Sequence, residues 1–326
     1  MSQPAPGRGR VLVTGATGFI GSDLVGRLAR AGWSVRAASR DPLRSAAGNS
    51  AEPVERVALG DLAVPFDWTP LVEGATHVVH LAAIAHATAS IPDAVYHAVN
   101  ADAVRTLAVA ARAAGVQRVV VMSSIRAQCG ASAHGVVSED RPPAPADAYG
   151  RAKLAGERML AAALAAGPTD WCVLRPVLVY GPGVKGNMGT LVRLARMPWP
   201  LPLGALSARR SLLGLANLEA AVEHALTSPS AARKTFLLAD AAPLTVPEMV
   251  AAMRSGLGRP PRVFPVPLAP VRLAARLAGT YEVWERIAGD LVVSTAALEA
   301  SGWRPTATAR EGLARWMRDS VGTSRG

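Results

Sequence analysis

The sequence predicts an α/β protein in which a doubly wound parallel sheet is joined to a smaller, mostly helical C-terminal lobe. Short apolar runs alternate with helical patterns over the first half of the chain, and a Gly-rich turn follows the first run. Alternation of this kind produces parallel sheets with helices on both faces. After Pro176, prolines become frequent and strand candidates few. We therefore expect a sheet domain over residues 8–175 and a second lobe over 176–320.

The elements of the sheet domain can be predicted in order. Val11–Val13 is a short apolar run, and Leu24 and Leu28 recur after it at helical spacing, which indicates a strand, a turn and a helix. Gly115 is expected to end a later helix, because glycine readily closes a helix in the left-handed conformation. Further strands are predicted at 34–38, 54–59, 78–81, 118–122 and 171–174, and further helices near 94–114 and 148–166.

The second lobe is predicted to be mainly helical. Prolines cluster between 198 and 202 and again between 260 and 270, where they interrupt regular structure. The apolar run 236–238 indicates a late strand, near 235–239, that returns to the main sheet. Helices are predicted after Thr245, near 269–277 and over 309–318.

The composition limits the classes of protein that the chain can represent. The net charge of +11 is spread along the chain and suits a doubly anionic small substrate; nucleic acid is not expected as a partner. No apolar stretch reaches the ~18 residues of a transmembrane segment. The two cysteines are too few for a disulfide framework, so we expect a cytoplasmic protein. No metal is expected, because none of the following has metal-ligand spacing: Cys129, Cys172, His80, His86 and His97.

The Gly-rich turn is typical of a dinucleotide-binding site. Gly15, Gly18 and Gly21 stand three residues apart between the first strand and the first helix. Glycines in this context allow a tight turn, close approach of backbone N–H groups to a pyrophosphate, and close packing of the helix on the strand. The cofactor contacts expected here are Gly15, Thr17, Gly18, Phe19, Ile20 and Gly21.

The end of the second strand bears on the choice between the two nicotinamide dinucleotides. An acidic residue there binds the ribose 2′-hydroxyl of NAD, whereas an arginine accommodates the 2′-phosphate of NADP. The sequence has Ser39-Arg40, which favours NADP, while Asp41 follows closely enough to keep NAD possible. After the third strand, Asp61 and Leu62 are candidates to contact the adenine, with turn capping as the alternative for Asp61.

A Tyr-x-x-x-Lys pair on the helix predicted over 148–166 indicates proton transfer. Tyr149 and Lys153 lie one turn apart on the same face. Arginine supplies nearly all of the 35 basic residues, so a lysine here indicates a need for a compact ammonium. A tyrosine, with an ordinary pKa near ~10, becomes a base at neutral pH only when a cation favours its anion. Ser124, just after the strand at 118–122, is expected to hydrogen-bond the substrate oxygen.

These motifs resemble those of the extended short-chain dehydrogenases/reductases, in the NAD-dependent epimerase/dehydratase branch. The resemblance covers nearly all of the chain, through Thr14–Gly21, His80–Ala83, Asn100, Ser123–Ser124, Tyr149, Lys153, Arg175–Pro176 and Tyr180–Gly183. Within this branch, the chain is most similar to UDP-glucose 4-epimerase-like enzymes and 4-keto-sugar reductases of polysaccharide synthesis. Three segments carry this finer similarity: Val184–Met188, which includes Lys185, Pro202–Gly204 and Arg209–Ser211.

The resemblance implies a Rossmann NAD(P)-binding domain, a homodimer formed through the helices near 94–114 and 148–166, and particular residue roles. Ser124, Tyr149 and Lys153 would be catalytic. The further contacts that it implies are Leu81, Ala82, Ala83, Asn100, Lys153, Pro176 and Val177 for the cofactor, and Ser124, Asn187 and Arg210 for a nucleotide-sugar substrate.

Three of these assignments keep an alternative. The loop after the serines is one residue longer than is usual in the family, so Ser123 is an alternative to Ser124. Arg209 is adjacent to Arg210, and either can contact a diphosphate. Asn187 is equally suited to capping a helix.

The leading hypothesis is an oxidoreductase that acts at C4 of a UDP- or dTDP-hexose. A 4-epimerase, which keeps its cofactor, and a 4-keto reductase, which consumes NADPH, would use the same residues; Arg40 favours the reductase and the family resemblance the epimerase. A reductase of a small lipophilic ketone is a second hypothesis, against which Asn187 and Arg209-Arg210 argue. A non-enzymatic NADP-binding regulator or assembly factor is a third, against which the intact tyrosine and lysine argue.

Overall fold

The computed structural model describes residues 8–42, 54–85, 91–184, 186–277 and 288–322. His86 and Lys185, which the sequence analysis considered, lie outside the described residues. The predicted α/β architecture is confirmed, because a seven-stranded parallel sheet is covered by helices on both faces.

The central sheet has a change in strand order that creates a ligand-binding crevice. Between β1 and β4 the connections change direction, and ligands bind at such points beyond the carboxyl ends of parallel strands. The predicted strands are all present, within two residues at each end. In spatial order they are β3 (Val54–Ala58), β2 (Ser34–Ser39), β1 (Arg10–Thr14), β4 (His77–His80), β5 (Arg118–Met122), β7 (Asp170–Pro176) and β11 (Lys234–Leu238).

Helices flank the sheet on both sides. Those before β7 are α1 (Gly21–Arg30), α2 (Thr69–Val72), α3 (Asp93–His97), α4 (Ala103–Ala113), α5 (Ile125–Gln128) and α6 (Ala148–Ala163). Those after it are α7 (Asn187–Arg196), α8 (Leu215–Thr227), α9 (Val246–Gly256), α10 (Leu268–Leu277), α11 (Ala296–Ala300) and α12 (Ala309–Gly322). Within the described ranges, no helix has both the length and the apolar character that crossing a membrane requires.

The apolar core consists of one layer on each face of the sheet. Val11 and Val13 of β1 pack in the layer that contains α1 and α8. Leu12, between them, packs in the opposite layer, with α4 and α6. Successive strand side chains point to opposite faces, so a strand buried on both faces needs a continuous apolar run. This requirement explains why short runs of valine and leucine predicted the strands.

The helix predicted near 94–114 contains a π-helical turn. The π segment Ala98–Asp102 joins α3 to α4, and Gly115, with φ of +72°, follows the end of α4. Asn100, on the π turn, is buried against α6. A Cβ atom at Gly156 of α6 would lie only 2.2 Å from the Asn100 carbonyl oxygen, so glycine is required for this close packing.

The C-terminal lobe is built from short strand pairs and helices, with α9 packed along α12. Its strand pairs are β8 (Leu178–Tyr180) with β10 (Leu212–Gly214) and β9 (Arg209–Arg210) with β12 (Leu244–Thr245). β13 (Val292–Val293) pairs instead with β6 (Val136–Val137), which precedes the lobe in the chain. Asp240 accepts hydrogen bonds from the Tyr180 hydroxyl and from Asn217 Nδ2, each at 2.7 Å. This buried network connects β8 to α8.

A buried ion pair connects three elements at the carboxyl edge of the sheet. Arg175 of β7 donates to Glu157 of α6 through Nε, 3.0 Å from Oε1, and through Nη2. The two side chains are only 7% and 6% exposed. The Ser123 hydroxyl, just after β5, donates to the same carboxylate, and Arg175 also donates to Gln128 of α5. Hydrogen bonds among these four side chains therefore join β7, α6 and the segment after β5.

Glu157→Gln is expected to lower the free energy of unfolding by about 3 kcal/mol or more, because it leaves the Arg175 guanidinium buried without a counter-charge. Urea denaturation measures the loss. The control is Asp93→Asn, which breaks an exposed pair with Arg151, where the side chains are 74% and 55% exposed. Such exposed pairs contribute less than about 1 kcal/mol. Equal losses in the two variants would contradict a structural role for the buried pair.

Candidate active site

The Gly-rich turn between β1 and α1 presents bare backbone. Gly15 has φ of +69°, and a Cβ atom there would lie 2.9 Å from the Ala82 nitrogen. A Cβ atom at Gly21 would lie 2.3 Å from the Gly15 carbonyl oxygen. Both glycines are therefore required by close packing. Gly18 is exposed and leaves the outer side of the turn without a side chain, an arrangement that fits the pyrophosphate of a dinucleotide.

The turn leads directly into the N-terminus of α1. Thr17, Phe19 and Ile20 are partly exposed, and Ile20 is the residue immediately before the helix. The first backbone N–H groups of a helix have no partners within the helix and attract anions. The predicted cofactor contacts of this segment thus surround a suitable position for a diphosphate.

His80 is a packed core residue. Thr14 Oγ1 lies 2.9 Å from His80 Nδ1 and accepts a hydrogen bond from the Ala82 nitrogen at 3.2 Å. Burial lowers the pKa of His80 to about 3, so its ring is neutral at pH 7. The interaction holds the ends of β1 and β4 together beside the Gly-rich turn. His97, in contrast, lies on the surface and pairs with Asp102.

Asn100 fixes the loop that follows β4. Its Oδ1 accepts a hydrogen bond from the Ile84 nitrogen at 3.1 Å, and its Nδ2 donates to the Ile84 carbonyl at 3.0 Å. The segment held in this way includes three candidate cofactor contacts, Leu81, Ala82 and Ala83, all partly exposed. In this structure Asn100 is therefore a positioning residue for the loop.

The three residues predicted to contact the adenosine have different environments. Arg40 directly follows β2 and is exposed. Asp61 is exposed, and its Oδ1 accepts a hydrogen bond from the Ala63 nitrogen at 2.9 Å. This contact matches the alternative in which Asp61 caps a turn. Leu62 is buried among core residues. Of the three, Arg40 has the exposure and charge suited to a ribose phosphate.

The two serines after β5 have different environments. Ser123 is buried and donates to Glu157. Ser124 is partly exposed and caps α5 by accepting a hydrogen bond from the Arg126 nitrogen at 3.2 Å. Its hydroxyl also lies close enough to Tyr149 to lower the pKa of the phenol by hydrogen bonding. Ser124 is therefore the serine next to the tyrosine. The loop that follows it begins with the short helix α5.

Tyr149 lies in the first turn of α6, which Asp147 caps. Burial raises the pKa of Tyr149, and the Ser124 hydroxyl opposes this rise. The Asp147 carboxylate raises the pKa further, whereas the Arg126 guanidinium lowers it. The ring lies edge-on to Tyr96 of α3, with the ring centroids 6.3 Å apart. The phenol is thus surrounded by groups that act on its protonation in opposite directions.

Lys153 is buried one turn further along α6. Its Nζ donates to the Met122 carbonyl at the end of β5, at 2.9 Å. Burial lowers the pKa of Lys153 to about 8, and the nearby Glu157 carboxylate opposes the change. At pH 7 the ammonium is therefore mostly charged, although its environment disfavours the charge.

The sequence analysis did not identify Arg126 as a candidate functional residue. Its guanidinium donates to Asp147, and its charge lowers the pKa of Tyr149. Arg210 lies in the same region, because it donates to the carbonyl of Ala131, three residues after α5. Burial lowers the pKa of Arg210, and the charge of Arg126 lowers it further. The only sequence signal was an arginine two residues after Ser124, and its pairing with Asp147 depends on how α5 packs against α6.

The structure separates the two adjacent arginines of β9. Arg210 is partly buried and donates to the Gly289 carbonyl at 2.8 Å and the Ala131 carbonyl at 3.0 Å. Arg209 is exposed and donates to the Pro243 carbonyl at 3.2 Å. Of the two arginines, Arg210 is therefore the one that lies near Arg126.

Three further candidates lie where the sheet meets the second lobe. Pro176 ends β7 and is followed by Val177, whose nitrogen donates to the Leu238 carbonyl at 3.1 Å. Both are buried. Asn187 is the first residue of α7, and Gly186 occupies the capping position. The predicted alternative of Asn187 as the helix cap is therefore wrong.

Comparison with known proteins adds evidence about the family. Residues 11–239 match the NAD dependent epimerase/dehydratase family. The chain belongs to this family. The resemblance inferred from the motifs is thus confirmed, and the protein is an enzyme of the short-chain dehydrogenase/reductase type.

Individual relatives cover nearly the whole chain. The UDP-glucose 4-epimerase of Vibrio cholerae is 33% identical over 311 residues, covering 93% of each protein. The 3-diazoavenalumate denitrifying reductase of a Streptomyces species is 31% identical over 322 residues, covering 94% of this chain and 99% of the relative. The solved structure of MoeE5 in complex with UDP-glucose and NAD matches with a TM-score of 0.73 at 27% identity, covering 97% of this chain and 100% of that chain.

We expect Arg126→Gln to raise the pKa of Tyr149. The substitution removes a guanidinium that lowers this pKa and leaves the Asp147 charge, which raises it. The pKa is measured by following phenolate absorbance as the pH is raised, with the Tyr149→Phe variant as the blank. Arg151→Gln is the control, because it removes an equal charge from an exposed position two residues further along α6. An unchanged or lower pKa in the Arg126 variant would contradict the assignment.

Proposed function

We propose that this enzyme is an NAD-dependent 4-epimerase that inverts C4 of a UDP- or dTDP-hexose. The observation that carries the proposal is the close packing of α5, which Ser124 caps, against the first turn of α6, which carries Tyr149, with Lys153 one turn further along. The Vibrio cholerae relative, which is named for this type of reaction, matches along 93% of its length. MoeE5 was solved with UDP-glucose and NAD together, which supports the same substrate and cofactor classes for this chain.

The residues around the Gly-rich turn fit a nicotinamide dinucleotide. Bare backbone at Gly18 and the N-terminus of α1 would bind the pyrophosphate. Asn100 would hold the loop after β4 in place beside the cofactor, and Pro176 and Val177 would border the nicotinamide. When bound, the cofactor would supply reversible hydride transfer at C4.

Tyr149 would move the proton that accompanies this chemistry. Its phenolate would remove the proton of the C4 hydroxyl and later return it to the same oxygen. The Ser124 hydroxyl would hydrogen-bond that oxygen and hold it near the phenol. Because burial raises the pKa of Tyr149, nearby cations are needed to favour the phenolate. Arg126 supplies one such charge, and the Lys153 ammonium would supply another while contacting the cofactor ribose.

The arginines near the site support an anionic substrate. Arg210 is held by two backbone carbonyls, and Arg126 adds a second guanidinium in the same region. The planar guanidinium matches the oxygens of a phosphate. We therefore assign Arg210, together with Asn187 at the start of α7, to the diphosphate of the nucleotide sugar.

The purified enzyme is expected to convert UDP-glucose, or its dTDP counterpart, to the C4 epimer without added reductant, as NMR of the reaction mixture would show. Tyr149→Phe should lower kcat by about 10²–10⁴-fold, because it removes the proton carrier. Tyr96→Phe is the control, since it removes a neighbouring phenol hydroxyl and keeps the ring packing. Activity of Tyr149→Phe equal to that of the parent would rule out the proposed proton transfer.

A 4-keto reductase is the second candidate, favoured by one residue. Arg40 is exposed at the end of β2, where a guanidinium suits the 2′-phosphate of NADPH. Among the relatives that cover nearly the whole chain, the Vibrio cholerae protein is named an epimerase and the Streptomyces protein a reductase. Their identities to this chain are similar, at 33% and 31%. The two candidates differ in whether the cofactor stays bound or is consumed.

Identification of the cofactor released by denaturation, followed by titration of the apo protein, separates the two candidates. We expect NAD to be released, and we expect Arg40→Gln to leave the Kd for NAD within about twofold, because the 2′-hydroxyl of NAD carries no charge for this arginine. Arg56→Gln, on the neighbouring strand β3, is the matched control. Preferential binding of NADPH that is lost in Arg40→Gln and kept in Arg56→Gln would favour the reductase.

A further inference from the structure

Three large apolar side chains are exposed on the C-terminal lobe. The exposed fractions are 67% for Trp199, 43% for Phe264 and 41% for Met197. Single exposed apolar residues are common, but a group of large ones indicates an interaction surface. Tryptophan and phenylalanine are also the residues that peripheral proteins place at the interface of a lipid bilayer.

The two segments that carry these side chains are joined into one surface. The Leu201 nitrogen donates to the Arg262 carbonyl at 2.8 Å, and the Phe264 nitrogen donates to the Leu201 carbonyl at 3.0 Å. The buried Arg254 donates to the Trp199 carbonyl at 2.8 Å and to the Arg262 carbonyl at 3.2 Å. The segments that carry Trp199 and Phe264 are therefore held side by side by these bonds.

Arginines lie beside the apolar group. Arg259 donates to the Arg196 carbonyl, and Arg262 donates to the Pro198 carbonyl at 3.4 Å, so both guanidinium groups contact the segment that carries Trp199. Arg196, Arg259 and Arg262 are all exposed. The sequence contains no aspartate or glutamate between residues 171 and 218 or between 249 and 281. We call these three arginines, with Met197, Trp199 and Phe264, the Trp199 surface.

We propose that the Trp199 surface binds the anionic face of a lipid bilayer. Aromatic and methionine side chains would enter the headgroup region while the arginines contact lipid phosphates. A protein–protein interface has a polar rim. The two segments that form the Trp199 surface instead combine arginines with apolar side chains and contain no acidic residue. This combination complements an anionic membrane better than a protein partner.

One helix, α7, connects the Trp199 surface to a candidate substrate contact. α7 begins at Asn187, a candidate substrate contact, and ends at Arg196 of the Trp199 surface. A helix of this length, 10 residues, extends about 15 Å. Membrane binding would therefore bring the substrate lobe close to the lipid headgroups, whichever nucleotide sugar the enzyme uses.

Co-sedimentation of the full chain with vesicles tests the proposal without any activity measurement. The vesicles contain phosphatidylcholine alone or phosphatidylcholine with one quarter phosphatidylglycerol. We expect binding to the anionic vesicles, weakened by high salt because exposed charges are screened. Loss of two arginines, in Arg259→Gln/Arg262→Gln, should weaken binding by roughly 30-fold. Trp199→Ala/Phe264→Ala should weaken it by at least tenfold, because both apolar contacts with the lipid are lost.

Two matched controls separate this surface from general charge and hydrophobicity. Arg112→Gln/Arg304→Gln removes two exposed arginines that also donate to backbone carbonyls. Val64→Ala/Val136→Ala trims two exposed apolar residues, 57% and 64% exposed. Both control proteins should bind like the parent, with melting temperatures confirming the fold of every variant. Absence of binding at low salt, equal loss in the controls, or self-association that depends on Trp199 in place of vesicle binding would overturn the proposal.

Discussion

The buried ion pair between Arg175 and Glu157 is the interaction on which the geometry of the active site depends. Two charges in an environment this dry persist only when their hydrogen-bonding groups are also satisfied. Ser123 and Gln128 supply the additional partners. Because the members come from β7, α6 and the segment after β5, a shift of any one element would leave a buried charge without its counter-charge or without a hydrogen-bond partner. Ser124, Tyr149 and Lys153, the residues proposed to carry the chemistry, lie next to this network on the same elements.

Burial also affects the protonation of the proposed catalytic residues. Burial opposes the charged form of both catalytic candidates on α6: it raises the pKa of Tyr149 and lowers that of Lys153 to about 8. Lys153 therefore has the lower pKa of the two, although an unperturbed lysine has the higher one. The surrounding groups then decide how readily the phenolate forms, with Ser124 and Arg126 favouring it and Asp147 opposing it.

The sequence predicted those features that depend on local patterns. Valine-rich runs predicted β1 and β5, and the spacing of Gly15 and Gly21 predicted a turn in which both are needed for packing. The π turn at Asn100 was missed; it packs closely against Gly156 of α6, a contact that the local sequence does not show. The role of Arg126 was missed for a similar reason, since Asp147, its partner, is 21 residues away along the chain.

A double-mutant cycle on kcat most directly tests whether the buried pair positions the reacting groups. The cycle combines Glu157→Gln with Ser124→Ala, at a temperature where circular dichroism shows all variants folded. If the pair acts through the placement of Ser124, the loss caused by Glu157→Gln should shrink in the Ser124→Ala background, with a coupling of roughly 0.5–3 kcal/mol. Losses that add within about 0.5 kcal/mol would show that the ion pair stabilises the fold without positioning the serine.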